Sequence, residues 1–288
     1  MAQAFCRLGS NVTLLEAGPR LLPQDEPEAS GLIASRLMDD GVDLRLDAMV
    51  DRLWQTGDTI HVGMDGQELE GDALLVAAGR RPVLDDLELD KAGVVHSPSG
   101  IRVNSRMRTN RRQIYAAGDC AGGYQFTHYA ALQGFMAVRN AYLPLNQKGV
   151  LDRVPRSTFT DSEVPHTGLT EAQARSKIGE GVMVCNWPLE KVDRALTDGD
   201  ATGFVKFIHK ANGTILGVTV AAPRAGEMIQ EWSMAIDQGL TIEALANSIH
   251  VYPTYATASM QVAADIRVER ILGGTKGRVM RGMARLAR

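Results

Sequence analysis

The residue of this 288-residue chain that most directly suggests chemistry is Asp119. It follows the apolar run Ile114-Tyr115-Ala116-Ala117 and a single glycine, Gly118. Such a run, with aromatic and β-branched members, is the pattern of a buried strand. Gly122 and Gly123 keep the next turn open to close backbone approach, and a helical pattern resumes at Tyr129. Strand, acid, glycine-rich turn and helix N-terminus together make a site for a ligand with hydroxyls and phosphates. The carboxylate only accepts hydrogen bonds, and a helix start offers unpaired N–H groups. The plainer reading is a turn acid that caps its own loop.

Three further places carry candidate residues. Asn11 to Glu16 reads as a strand with an acid at its C-terminal end. In a dinucleotide-binding βαβ unit such an acid lies about 20 residues beyond a glycine-rich phosphate loop and bonds the adenine ribose. Counting back from Glu16 passes Met1, so the sequence predicts that the loop and the first strand lie outside this chain. Asp72 to Pro82 contains an apolar run, read as a buried parallel strand, and Ala77-Ala78-Gly79 would let a cofactor pass closely; the alternative is a core strand before a proline-stopped loop. In Ile249-His250-Val251-Tyr252-Pro253-Thr254, His250 reads either as a base or as a satisfied structural histidine.

The elements that would position these residues alternate between helix and strand, which argues for α/β architecture. Residues 1–9 read as the end of a helix closing at Gly9. Pro27 to Asp40 reads as a helix stopped by Gly41, with Leu32, Leu37 and Met38 on or near one face. Val42 to Gly71 gives short strands turned at Gly57-Asp58 and Asp65-Gly66. Pro144 to Asp152 has linker composition. Beyond it, Thr170 with Gln173 makes a capping box, Asn212-Gly213 a hairpin turn between strands at 203–209 and 214–221, and Met228 to Gly239 and Ile242 to Ala246 two helices. The tail Gly273 to Arg288 carries five basic residues and no acid, read as a solvated, frayed terminus.

Composition excludes several classes. At 44% hydrophobic the chain can bury a sizeable core, and its length suggests about two domains. A net charge of −3 leaves no nucleic-acid footprint. No apolar run reaches the length of a membrane span and no signal peptide is visible, so a cytoplasmic location is expected. Cys6, Cys120 and Cys185 are far apart and form neither a disulfide framework nor a metal-ligand cluster.

Ile114 to Asp119 followed by Thr127-His128-Tyr129-Ala130-Ala131-Leu132-Gln133-Gly134 resembles the second flavin motif of the pyridine nucleotide-disulfide oxidoreductases. That family includes dihydrolipoyl dehydrogenase, glutathione reductase and mercuric reductase. The resemblance implies that Asp119 accepts a hydrogen bond from a ribityl hydroxyl of FAD, with Gly118, Thr127 and His128 at the same site. It also implies that the helix N-terminus points at the isoalloxazine. Ala2 to Ser30 is similar to the segment after the family's nucleotide phosphate loop, where the glutamate matching Glu16 contacts the ribose of NAD. NADP stays open because Arg20 is near. Ala77-Ala78-Gly79-Arg80-Arg81-Pro82 is similar to the junction between nicotinamide and flavin domains.

By the same resemblance, residues 1–82 are a truncated NAD(P)-binding domain, 83–152 the C-terminal part of an FAD-binding domain, and 153–272 an α+β dimerisation domain that pairs two subunits. The tail follows at 273–288. Thiol-reducing members carry a histidine-proline-threonine run with a glutamate five residues after the histidine. Here Tyr252 and Thr257 stand in those registers, with His250 two residues early. The implied function is FAD-dependent electron transfer from NAD(P)H to a disulfide, thiol-bound metal or similar acceptor, by a chain lacking the N-terminal flavin domain and redox cysteine pair. A separate chain would supply that part. The alternative is a non-catalytic dimerisation or binding remnant. Val12, Leu14 and Val76 are expected to be exposed by the incomplete sheet, leaving the nicotinamide segment the least stable part.

Overall fold

The computed structural model describes residues 1–144 and 147–272; the basic tail lies outside them. The chain forms two compact units. One joins Met1–Ala73 to the chain from Pro155 onward, and the other is Leu74–Val154.

The first segment opens with α1 (Ala2–Arg7), closed by Gly9 in a left-handed conformation. The strand β1 (Thr13–Leu15) follows, then α2 (Pro27–Asp39), which starts at a proline suited to a first helical turn and ends before Gly41. The buried face of α2 is Ala29, Ser30, Ile33 and Leu37; Leu32 is half-buried and Met38 exposed. β2 (Asp43–Arg45) pairs with β1 in parallel, so the nucleotide-type sheet has two strands. A three-stranded antiparallel meander follows: β3 (Val50–Thr56), β4 (Thr59–Met64) and β5 (Gln67–Gly71), turned where the glycines predict.

In Leu74–Val154 two expected strands do not form. Leu74 to Ala78 has no strand pairing, and Leu75 and Val76 are 59% and 71% exposed. An apolar run becomes a buried strand only where neighbouring strands hydrogen-bond it and layers cover its faces, and among the described residues none does. Ile114 to Ala117 makes a single antiparallel bridge, Arg108 to Tyr115, in place of a strand. The unit holds a two-residue ladder, β6 (His96–Ser97) with β7 (Gly100–Ile101), and the long helix α3 (Thr127–Tyr142). Its core is small: Val94, Ile101 and Ala116, with half-buried neighbours.

The second part of the first unit is a five-stranded antiparallel sheet. β8 (Arg156–Thr158) and β9 (Val164–Gly168) lead to α4 (Glu171–Ile178), whose Thr170–Gln173 capping box is formed in both directions. β10 (Val182–Pro188), α5 (Asp193–Asp198) and the hairpin β11 (Phe204–Lys210) with β12 (Ile215–Ala221) follow, giving the order β10-β11-β12-β9-β8. The helices α6 (Ala225–Asp237), α7 (Ile242–Ala246) and α8 (Thr257–Leu272) complete it. Trp232, Phe207, Ile229, Val218 and Val262 anchor the main core, with Phe207 and Trp232 ring centroids 4.9 Å apart.

A second core joins the two segments of this unit. Leu21, Ala29, Ile33, Leu37 and Val42 pack with Val164, Phe204 and Ala221 of the sheet, and Val12 and Leu14 pack against them. Of the three residues expected to be exposed, Val12 and Leu14 are thus half-buried, and Val76 is exposed. The sheet supplies the cover that the local sequence does not.

Candidate functional site

Asp119 opens a short turn, Asp119–Ala121, between Gly118 and Gly122, both with positive φ. The Gly118 N–H donates to the buried Gln133 Oε1 at 2.8 Å, which ties the turn to α3. A Cβ on Gly122 would lie 2.4 Å from the Ser99 carbonyl oxygen, so only glycine fits there. Gly123 and Gly79 also have positive φ, but a Cβ on either would meet open space. Bare backbone facing space is what a close ligand approach needs. The N-cap residue of α3, Phe126, makes no side-chain capping bond.

The Asp119 carboxylate is half-exposed. Its Oδ2 accepts from Arg80 Nη2 at 2.8 Å, while Arg80 Nη1 donates to the Gln125 carbonyl at 2.7 Å. The carboxylate is therefore not folded back on its own turn, and Oδ1 remains as an acceptor. Thr127 and His128 form the exposed first turn of α3, with the His128 ring stacked on Phe126 at 5.4 Å. An acceptor-only group, an open glycine backbone and a helix start fit the ribityl and ring portions of a flavin.

Glu16 stands directly after β1. Its Oε1 accepts the Gly18 N–H at 2.8 Å, a local bond that leaves the second oxygen available. Arg20 donates to the carbonyls of Leu22 and Asp25 at 3.1 Å each and of Pro23 at 2.6 Å. Its guanidinium is thus committed to its own loop.

The other two candidates are in the sheet-and-helix half. His250 Nε2 lies 2.8 Å from Glu231 Oε1, on α6, and Nδ1 lies 3.3 Å from the Ser248 carbonyl. The acid absent from the expected offset is supplied from 19 residues upstream, and both ring nitrogens face acceptors. The Tyr252 hydroxyl donates to Asp193 Oδ2 at 2.9 Å, and that bond to an anion raises the phenol pKa. Thr257 starts α8 and is buried.

A cluster the sequence reading passed over lies on the meander. His61 Nδ1 is 2.7 Å from Glu68 Oε1 and 3.8 Å from Glu70 Oε1, and its ring stacks on Trp54 at 5.1 Å. Strand register could have found it, since Trp54, His61 and Glu70 are directly opposed. Metal binding through Nδ1 would move the ring proton to Nε2, which is buried and has no acceptor among the described residues. The arrangement suits an Nδ1–H donated to Glu68.

Comparison with known proteins decides the family. The model for the pyridine nucleotide-disulphide oxidoreductases matches residues 1–134, and that for their dimerisation domain matches 154–263. The chain belongs to this family. A mercuric reductase of Bacillus cereus is 38% identical over 262 residues, which cover 89% of this chain and 41% of that protein. A dihydrolipoyl dehydrogenase of Thermus scotoductus is 36% identical over 280 residues, covering 94% and 60%. Among solved structures, the HOCl-induced flavoprotein disulfide reductase RclA from Escherichia coli superposes with a TM-score of 0.84 at 31% identity, covering 91% of this chain and 61% of RclA. The chain thus spans about two fifths to three fifths of the length of these relatives. Family members are FAD-dependent oxidoreductases with an α/β nucleotide-binding part and an α+β dimerisation domain, and the fold here agrees. A separate chain supplying further flavin-domain residues finds no support in these comparisons. No helix among the described residues is long and apolar enough to cross a membrane.

Proposed function

We propose that this chain carries the nicotinamide-side and ribityl-side contacts of an oxidoreductase that moves electrons from NADH through FAD to a disulfide, thiol-bound metal or similar acceptor. The observation that carries the reading is the turn at Gly118–Gly123, built of glycines, anchored by Gln133, and presenting Asp119 outward. FAD, when bound, supplies the hydride acceptor. Asp119 would accept from a ribityl hydroxyl, and the N-terminus of α3 would favour negative charge on the reduced ring. Gly79 would let the cofactor pass close to the backbone. Glu16 would accept from the adenine ribose of the nucleotide and repel a 2′-phosphate. The engagement of Arg20 with three carbonyls supports NAD over NADP, because it removes that cation from the task.

At the other end, Tyr252 is a neutral phenol that could orient an acceptor or donate to it, whereas His250 is held between Glu231 and Ser248. We place the homodimer interface in residues 153–272; Ile249 at 97% and Val251 at 79% exposure support a face there that a second copy covers. The test is the absorbance spectrum of the purified chain with added FAD and then NADH, together with its mass in solution. A bound-flavin band that bleaches with NADH is expected, and Asp119→Ala should release the flavin while leaving the melting temperature of the flavin-free chain within a few degrees of its parent. A colourless dimer would reject catalysis by this chain and favour the assembly-module reading.

A further inference from the structure

Lys206 lies in the middle of β11 and is 3% exposed, yet three carboxylates converge on its ammonium. Glu26 is at 2.9 Å, Glu28 at 2.7 Å and Glu171 at 2.8 Å. Glu26 is itself 2% exposed, and its second oxygen accepts the Glu171 backbone N–H at 2.7 Å. An ammonium has three N–H donors, and here each has a carboxylate. Burial works to lower the Lys206 pKa, but the bonds to Glu171, Glu28 and Glu26 outweigh it and the net direction is upward. The three carboxylates favour the protonated form of Lys206.

Two of its partners belong to the segment that follows Glu16. The loop from Ala17 to Glu26 has few apolar contacts of its own besides Leu21 and Leu22. Polar pins hold it instead. Ser30 Oγ donates to the Leu21 carbonyl at 2.6 Å, and Arg20 is forked over three carbonyls of the loop. A second cation of the sheet, Arg156, donates to the Gln24 carbonyl and to Asp25 Oδ1, both at 2.8 Å. One end of the loop is Glu16, bonded to the Gly18 N–H; the other end is the Lys206 cage.

We infer that Lys206 is a positioning residue for the nicotinamide dinucleotide: by fixing Glu26 and Glu28 to the dimerisation sheet, it sets the shape of the loop that presents Glu16 and keeps Arg20 on its own carbonyls. The inference rests on the reading of Glu16 as the ribose acceptor. Dinucleotide affinity and the preference for NADH over NADPH then depend on a side chain of the sheet that touches no nucleotide.

The test compares the full chain with its Lys206→Met, Lys206→Arg and Val218→Ala variants. Amide hydrogen exchange is read over residues 17–39, and NADH and NADPH are titrated by fluorescence. In Lys206→Met, exchange over 17–39 should rise by about tenfold or more, since a broken buried ion pair leaves its partners uncompensated, while β10 to β12 stay protected. Its NADH dissociation constant should rise by a similar factor and the NADH preference should shrink. Lys206→Arg should recover part of both. Val218→Ala, a core truncation on the same sheet, should lower the melting temperature and leave the NADH to NADPH ratio unchanged. If Lys206→Met does not fold, Glu28→Gln, at the exposed partner, should give smaller shifts of the same sign. Wild-type exchange over 17–39 with wild-type NADH affinity in the Lys206 variants overturns the inference and leaves Glu16 standing. A wild-type chain that binds neither nucleotide overturns the Glu16 reading, and the nucleotide role of Lys206 with it.

Discussion

The sheet from Pro155 onward and the unit Leu74–Val154 differ in what they bury. In the first, even ionisable groups are buried and matched: Lys206 with its carboxylates, and His166 with Nδ1 facing Thr219 Oγ1 at 2.8 Å and Nε2 donating to the Gly168 carbonyl at 3.1 Å. In the second, apolar groups are left uncovered. Ala131, Phe135, Val138 and Tyr142 form an exposed stripe along α3, while Tyr129, Gln133, Ala137 and Asn140 face inward. The sheet pairs these charges internally, although the buried Trp187 and Trp232 indole N–H groups have no partner among the described residues. The glycine turn presents a half-exposed carboxylate and open backbone at Gly123, features that suit a ligand-binding element.

That contrast can be broken most directly in the main core. Trp232→Ala removes a fully buried ring packed on Phe207 and should cost about 3–5 kcal/mol in urea unfolding followed by circular dichroism. If the loss were under about 1 kcal/mol, the sheet would be no better packed than a surface site.

Acid gives the next effect. Burial, with help from the Arg156 charge, pushes the His166 pKa down to about 4, so the folded state holds the ring neutral. The unfolded chain takes up this proton near its ordinary pKa of about 6.5. Between these values the unfolded state binds more protons, so stability falls with pH, by about 3 kcal/mol over the window. Glu171 adds to it below its ordinary range, because its bonds to Lys206 and Arg175 lower its pKa and that stabilisation is lost on protonation. Urea midpoints measured from pH 7 to pH 4 should show the slope, and His166→Gln should flatten it above about pH 4.5, where carboxylates begin to titrate.

Smaller effects sharpen the comparison. Thr170→Ala removes the N-cap of α4 and should cost about 1 kcal/mol. Phe135→Ser and Val138→Ser, on the exposed stripe, should each change stability by less than about 0.5 kcal/mol; a larger loss would mean that the stripe is covered in solution.

Local sequence determined what depends on a few neighbouring residues. The hairpin around Asn212-Gly213, the Thr170 capping box, the helix from Pro27 and the meander from Val50 to Gly71 all form as their turns and caps dictate. The turn at Asp119 and the helix after it were legible too, because the glycine positions mark the turn. Only the tertiary structure decided the rest. Leu74 to Ala78 and Ile114 to Ala117 have the residues of strands, but pairing needs a neighbour that periodicity cannot name. The alternation at Phe204 to Lys210 announces a strand without saying that Lys206 is buried, since its tolerance depends on carboxylates 180, 178 and 35 residues away in sequence. His250 likewise gains Glu231 only because α6 passes beside it. Turns are local in energy; burial and charge pairing are set by whatever the folded chain brings alongside.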